Sequence, residues 1–324
     1  MGMDYRPGPV PANLACFTAM VMWAFAFPAS EVLMESWGAL ALIAVRMGLT
    51  VAILIFLWVW ADGLLHVRKA PWVRGLTVGG IGFGIGMVLL LIGQKMSNAV
   101  TPAIAAAMMP IAGAAIEVIF DKRKLRLHLI IGIAFALTGG ILATGVKLTD
   151  GTFGTGALLC LIAVVLFAWA TRATTRDFQT LSPIGQTTIT LIGSLIVAIA
   201  LYGLSCYFGF GETHIGLTDF KNMTLLIAMS VASLALSQLL WIWGAGGLGV
   251  LLASLHMNAV PFYVMVIVVV FMDEKWGWDQ AIGAALVATG VMVAQSVGRK
   301  KQHPVSSPLP ILNAEASFHT SDEQ

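Results

Sequence analysis

Residues 38–60 read GALALIAVRMGLTVAILIFLWVW, an apolar run interrupted by one charge, Arg46. A membrane-spanning helix needs about 20 mostly apolar residues, because in lipid each backbone polar group must be satisfied within its own segment. Runs of that length recur at about 12–34, 72–92, 99–120, 127–146, 154–174, 184–205, 223–243, 250–272 and 278–297. The expected fold is therefore an all-α integral membrane protein with ten transmembrane helices over residues 12–297. Residues 1–11 form a short N-terminal segment, and 298–324, rich in Pro, Ser and charge, read as a disordered tail.

Composition agrees with this reading. Hydrophobic residues are 58% of the 324 and charged residues 10%, against about 45–50% and 25% in soluble domains. A net charge of +2 without a basic face gives no reason to expect a nucleic-acid partner. Cys16, Cys160 and Cys206 sit in apolar context without C-x-x-C spacing, so neither a disulfide framework nor a metal site is expected. No small-residue cleavage site follows the first run, and no cleaved signal peptide is expected.

Positive charge orients the spans, since cytoplasmic loops carry excess Lys and Arg. With the N-terminus inside, the inner segments hold Arg6, Arg68, Lys69, Arg74, Lys122, Arg123, Lys124, Arg126, Arg172, Arg176, Arg299, Lys300 and Lys301. The outer loops hold only Lys95, Lys147, Lys221 and Lys275. Both termini are thus expected in the cytoplasm, with the chain multi-pass in the cell (inner) membrane.

The chain also resembles itself. A shift of 151 residues pairs Pro110 with Pro261, Phe120 with Phe271, Gly132 with Gly283, Thr138 with Thr289, Gly139 with Gly290 and Ala143 with Ala294. A shift of 146 pairs Trp23 with Trp169, the difference falling in the longer loop around Gly209–Lys221. The expected repeats are about 12–146 and 154–297. Five spans each is an odd number, so the two halves should lie inverted in the membrane, an architecture that places a substrate near the midplane.

Trp23-Ala-Phe-Ala-Phe-Pro28, Arg46 opening the second span, Pro261 followed by Glu274, and Gly283 and Gly290 in the last helix resemble the ten-helix EamA-type transporters of the drug/metabolite transporter superfamily. The resemblance covers about residues 12–297. It implies five-plus-five inverted helices around a central cavity and export of amino acids or other metabolites. Arg123 stands where the first half of that pattern usually carries a post-proline Glu, and Glu117 lies inside the helix instead.

Ionisable groups within lipid cost at least about 2.5 kcal/mol by insertion scales, which singles out Glu31, Arg46, Glu117 and His256. At the rise of an α-helix, Arg46 lies about 12 Å and Glu31 about 6 Å below the outer surface, close enough to pair. Two readings stay open for each: Arg46 binds a carboxylate or snorkels, and Glu31 and Glu117 carry a coupling proton or are hydrated at the interface. His256 and Asn258 precede Pro261, which frees a carbonyl for a cavity; a polar helix contact explains them equally. Ser230, Ser233, Ser237 and Trp241 fall on one helical face beside Gln238, open to a cavity role or to tight packing. Trp23, Phe27 and Ser30 share one face of the first span, open to an aromatic cavity wall or to core packing and lipid contact. Gly75, Gly79, Gly80, Gly82, Gly84 and Gly86 point to close helix contact.

The expected site is therefore Trp23, Phe27, Arg46, Ser237, Trp241, His256 and Asn258, with Glu31 and Glu117 as coupling-ion candidates and no cofactor. The G-x-G-x-x-G string Gly244–Gly249 joins two membrane helices rather than following a strand, so it is not a dinucleotide site. No catalytic constellation, P-loop or H-E-x-x-H supports an enzyme. The expected function is secondary-active transport by alternating access, with a small, carboxylate-bearing solute as substrate, the lipid bilayer as surroundings and protons as the driving ion; two copies could pair as a homodimer. Efflux of lipophilic cations is the alternative. Ala29-Ser30-Glu31-Val32 loosely resembles the membrane Glu motif of the small multidrug resistance family, and aromatic rings attract cations. A membrane receptor or enzyme is the more distant one.

Overall fold

A computed structural model describes residues 7–121, 127–144, 151–209 and 211–295. Every regular element among the described residues is a helix, with no strand among them. In chain order the main rods are α1 (Pro9–Ala24 and Ala26–Met34), α2 (Ala39–Asp62), α3 (Trp72–Lys95), α4 (Val100–Ala107 and Met109–Asp121) and α5 (Leu127–Thr144). They continue with α6 (Gly151–Asp177), α7 (Pro183–Phe208), α8 (Phe220–Leu248), α9 (Val250–Phe271) and α10 (Trp278–Gln295). Among the described residues, seven segments, in α1, α2, α3, α6, α7, α8 and α9, are long and apolar enough to cross a membrane. The tail, the basic cluster Lys122–Arg126, Lys147 and the side chain of Glu117 lie outside the described residues.

Prolines explain the breaks. Pro28 cannot donate to Ala24, and α1 bends at Phe25; Pro110 likewise accompanies the interruption at Met108 in α4. In α9 a four-residue helix passes into a 3-10 turn, Ser254–Ala259, before Pro261 starts the helix Val260–Phe271. Ser182 accepts from the Gly185 N–H with Pro183 at the first turn of α7, and left-handed Gly209 ends it.

Two π-helical segments interrupt the ladders, Val78–Ile85 in α3 and Val231–Leu236 in α8. Their last residues stand 151 apart, the shift that pairs Pro110 with Pro261. Packing follows the same exchange of halves: α3 lies on α6 and α7, α8 lies on α1 and α2, and α5 packs along α10.

The glycines of α3 divide between two neighbours. A methyl group on Gly79 would meet the Thr190 backbone of α7, and one on Gly84 would meet Ser194 and Val197. Gly82 and Gly86 instead face Ala170 and Phe167 of α6. Gly79 and Gly84 share a neighbour although five residues apart, as i→i+5 bonding allows. Ser194 Oγ donates to the Gly79 carbonyl at 3.0 Å across this contact.

Polar contacts tie the two ends of the bundle. At one end Arg74 pairs with Asp177 at 2.7 Å, and Trp58 Nε1 and Ser182 Oγ both donate to Asp62. At the other, the segment 211–217 straps over the start of α2. Glu212 accepts from Lys95 Nζ and the Ala39 N–H, its carbonyl accepts from the Leu40 N–H, and Trp37 Nε1 donates to the Leu217 carbonyl. Burial opposes ionisation of Glu212, but those bonds, with the charges of Lys95 and His214, hold its carboxyl below its usual range.

Candidate functional site

Where α1 bends, α1, α2, α3, α4, α6, α8 and α9 leave a central cavity of about 50 Å³, measured as space open to the centre of a water molecule. At about 10–15 Å³ per water, it holds a few waters in this conformation. Met20, Trp23, Phe27 and Ser30 face it from α1, Arg46 from α2, and Phe83, Met87 and Gln94 from α3. Met109 of α4, Phe167 and Thr171 of α6, Ser237, Gln238 and Trp241 of α8 and Met257 of α9 complete the wall.

Five residues expected from the sequence, Trp23, Phe27, Arg46, Ser237 and Trp241, thus meet in one place. Trp23 and Phe27 pack edge to face with centroids 5.0 Å apart. Trp241 Nε1 donates to Thr171 Oγ1 at 3.4 Å, joining α8 to α6. Gln94 donates to the Phe27 carbonyl at 2.7 Å beside the bend in α1. Ser30 and Ser237 give their hydroxyl protons to carbonyls one turn back.

Other expectations are corrected. His256 and Asn258 do not line the cavity; only Met257 between them does. His256 Nδ1 sits 3.1 Å from the Ala253 carbonyl. Successive residues of a 3-10 turn are about 120° apart, so the neighbours of Met257 are rotated away. The Glu31–Arg46 pair is not formed either: Glu31 Oε2 accepts from the Ala99 N–H at 3.1 Å, where α4 begins. Nor does the serine row of α8 share one face toward the cavity. Ser230, just before the π segment, is not in the wall: its hydroxyl donates to the Leu226 carbonyl one turn back, and its carbonyl accepts from Thr50 of α2.

Arg46 is 6% exposed, and its Nε is buried without a hydrogen-bond partner. Gln238 Nε2 shares that condition. A buried donor left unmade costs about 1–3 kcal/mol. Both residues line the cavity, and in this conformation neither of these two nitrogens is open to water. Sequence reasoning left Gln238, Gln94, Thr171 and the four cavity methionines off the site, because uncharged residues cost little in a helix and carry no depth signal.

Residues 10–145 and 154–295 each match the EamA-like transporter family. The chain belongs to the EamA-like transporter family. It is accordingly a multi-pass membrane protein of a family that transports small solutes. The fold is shared with a solved protein crystal structure, 18% identical, that superposes with a TM-score of 0.66 over 90% of this chain and 99% of its own. No curated protein matches the sequence.

Proposed function

We propose that this EamA-like protein is a secondary-active exporter of amino acids or related carboxylate-bearing metabolites, working by alternating access in the cell membrane. One observation carries the reading. A buried arginine with an unpaired Nε faces a cavity walled by Trp23, Phe27 and Trp241, at the contact between two halves that each match a transporter family. The guanidinium supplies a charge-assisted fork for a carboxylate, and the rings supply apolar area for the body of the solute.

The wider reading has ten spans, with α4, α5 and α10 added to the seven apolar segments, and five-helix halves inverted about the cavity. The matched π segments and the reciprocal packing of α3 and α8 support it. Residues 12–297 form the transport domain, both termini lie in the cytoplasm, and Glu31 or Glu117 carries a driving proton. The edge-to-face Trp23–Phe27 pair favours the alternative, efflux of a lipophilic cation; Arg46 in the same wall repels one.

The test is transport itself. Proteoliposomes of the purified chain, loaded with a mixture of amino acids, organic acids and quaternary amines, should release carboxylate-bearing solutes when a proton gradient is imposed. Release of none of the mixture refutes the function; release of the amines alone installs the alternative.

A further inference from the structure

We infer that the carboxylate is the only charge on the substrate: the central cavity takes a monocarboxylate with an uncharged, apolar or aromatic body, and Gln238 donates to the same carboxylate as Arg46. This rests on the central cavity being the substrate site, and it narrows the proposed class to its carboxylate-bearing metabolites, with the zwitterionic amino acids excluded.

The charge balance of the wall carries the inference. Among the described residues that line the cavity, Arg46 is the one ionisable group. A bound monoanion neutralises it. A zwitterion would neutralise it and leave an ammonium among mostly apolar side chains without a counter-charge, and a buried charge is tolerated only when paired. Glu31 does not serve that ammonium, because its carboxylate is turned to the Ala99 N–H at the start of α4. Cation–π attraction to Trp23 or Trp241 offsets part of the desolvation, while Arg46 repels the ammonium from within the cavity.

Hydrogen bonding adds two donors without partners. Ser30 and Ser237 have spent their protons on carbonyls, Gln94 donates to Phe27, and Thr171 accepts from Trp241. The groups left unpaired, Arg46 Nε and Gln238 Nε2, are both donors. Both are closed to water in this conformation; once the wall widens around a solute, two N–H donors from α2 and α8 match the two oxygens of a carboxylate. Beyond them Met20, Met87, Met109 and Met257 are side chains that give way readily, so the small free volume can widen around bodies of different shape.

Three probes share one body and differ only in charge: 3-phenylpropionate, phenylalanine and phenethylamine. Their binding to the full chain in lipid nanodiscs is read from tryptophan fluorescence, Trp23 and Trp241 being in the wall. 3-Phenylpropionate should bind tightest, phenylalanine at least about tenfold more weakly, and phenethylamine without saturation. Arg46→Gln should weaken 3-phenylpropionate about 100-fold and Gln238→Leu about tenfold, each with thermal unfolding like wild type. Gln238→Glu adds the missing negative charge and should narrow or reverse the preference over phenylalanine. Phenylalanine binding as well as 3-phenylpropionate to the unmodified chain overturns the inference, as does binding of none of the three, or a 3-phenylpropionate affinity indifferent to Arg46→Gln. Release of amino acids from proteoliposomes together with phenylalanine preferred in nanodiscs would remove this inference and leave the transporter standing.

Discussion

Gly79→Ala puts a methyl group into the contact between α3 and α7. Its carbon would lie 2.5 Å from the Thr190 carbonyl carbon and 2.7 Å from Thr190 Cα, with the carbonyl oxygen nearer still; ordinary contact begins at 3.4 Å. Helix backbone, unlike a side-chain tip, cannot swing away, so α7 must retreat by about an ångström. Overpacking of this kind costs about 1–3 kcal/mol. Separation also weakens the Ser194–Gly79 hydrogen bond, worth about 0.6 kcal/mol in a membrane protein. Against this, Ala is better than Gly in a helix by about 1 kcal/mol. Gly48→Ala is the matched control, since a methyl group there meets nothing within 4 Å. The propensity gain is common to both, so Gly79→Ala should be less stable than Gly48→Ala by about 2–3 kcal/mol. Unfolding of both variants by SDS titration in mixed micelles, followed by tryptophan fluorescence, measures the difference. Equal stabilities would refute the close contact of α3 and α7.

Single cysteines at Lys122 and Arg299 should be labelled only from the cytoplasm and one at Lys221 only from outside; Lys122 and Lys221 labelled from the same side would refute inverted halves. If Glu31 or Glu117 carries the proton, its Glu→Gln variant should lose gradient-driven transport and keep exchange; unchanged gradient dependence in both variants removes the carboxylates from coupling. The strap at 211–217 should loosen in acid. Glu212 has its pKa lowered from 4.5 in the fold, so the hold it provides is complete above that value and is lost as pH falls through the lowered one. Glu212→Gln should reproduce the loosening at neutral pH as faster amide hydrogen exchange over 212–217; exchange as slow as in wild type would assign the strap to its backbone bonds alone.

The helical membrane class and the two-half organisation were legible because hydropathy over about 20 residues and a 151-residue self-match are long-range signals that no single side chain can blur. Arg46 was legible for the opposite reason: one charge in apolar sequence stands out. The contacts of the α3 glycines could be anticipated from their spacing, but not their division between α6 and α7, because the spacing rule assumes 3.6 residues per turn and the π segment departs from it. The same departure in α8 separates Ser230 from Ser237, which alone of the two lines the cavity, and the 3-10 turn rotates His256 and Asn258 away from it. Depth alone pairs Glu31 with Arg46, whereas its actual partner, the Ala99 N–H, arrives from a helix far along the chain.

The matched π segments bear on the ancestry of the chain. A π turn holds one residue more than an α-helix would carry over the same hydrogen-bonded stretch. Two independent insertions would have had to strike corresponding places in two genes or gene halves. One insertion in a single ancestral half, copied afterwards, places Ile85 and Leu236 at the ends of equivalent segments in one step. The extra residue is then older than the two-repeat chain itself. It has outlasted the side chains around it, which have drifted apart into VGGIGFGI in one copy and VASLAL in the other.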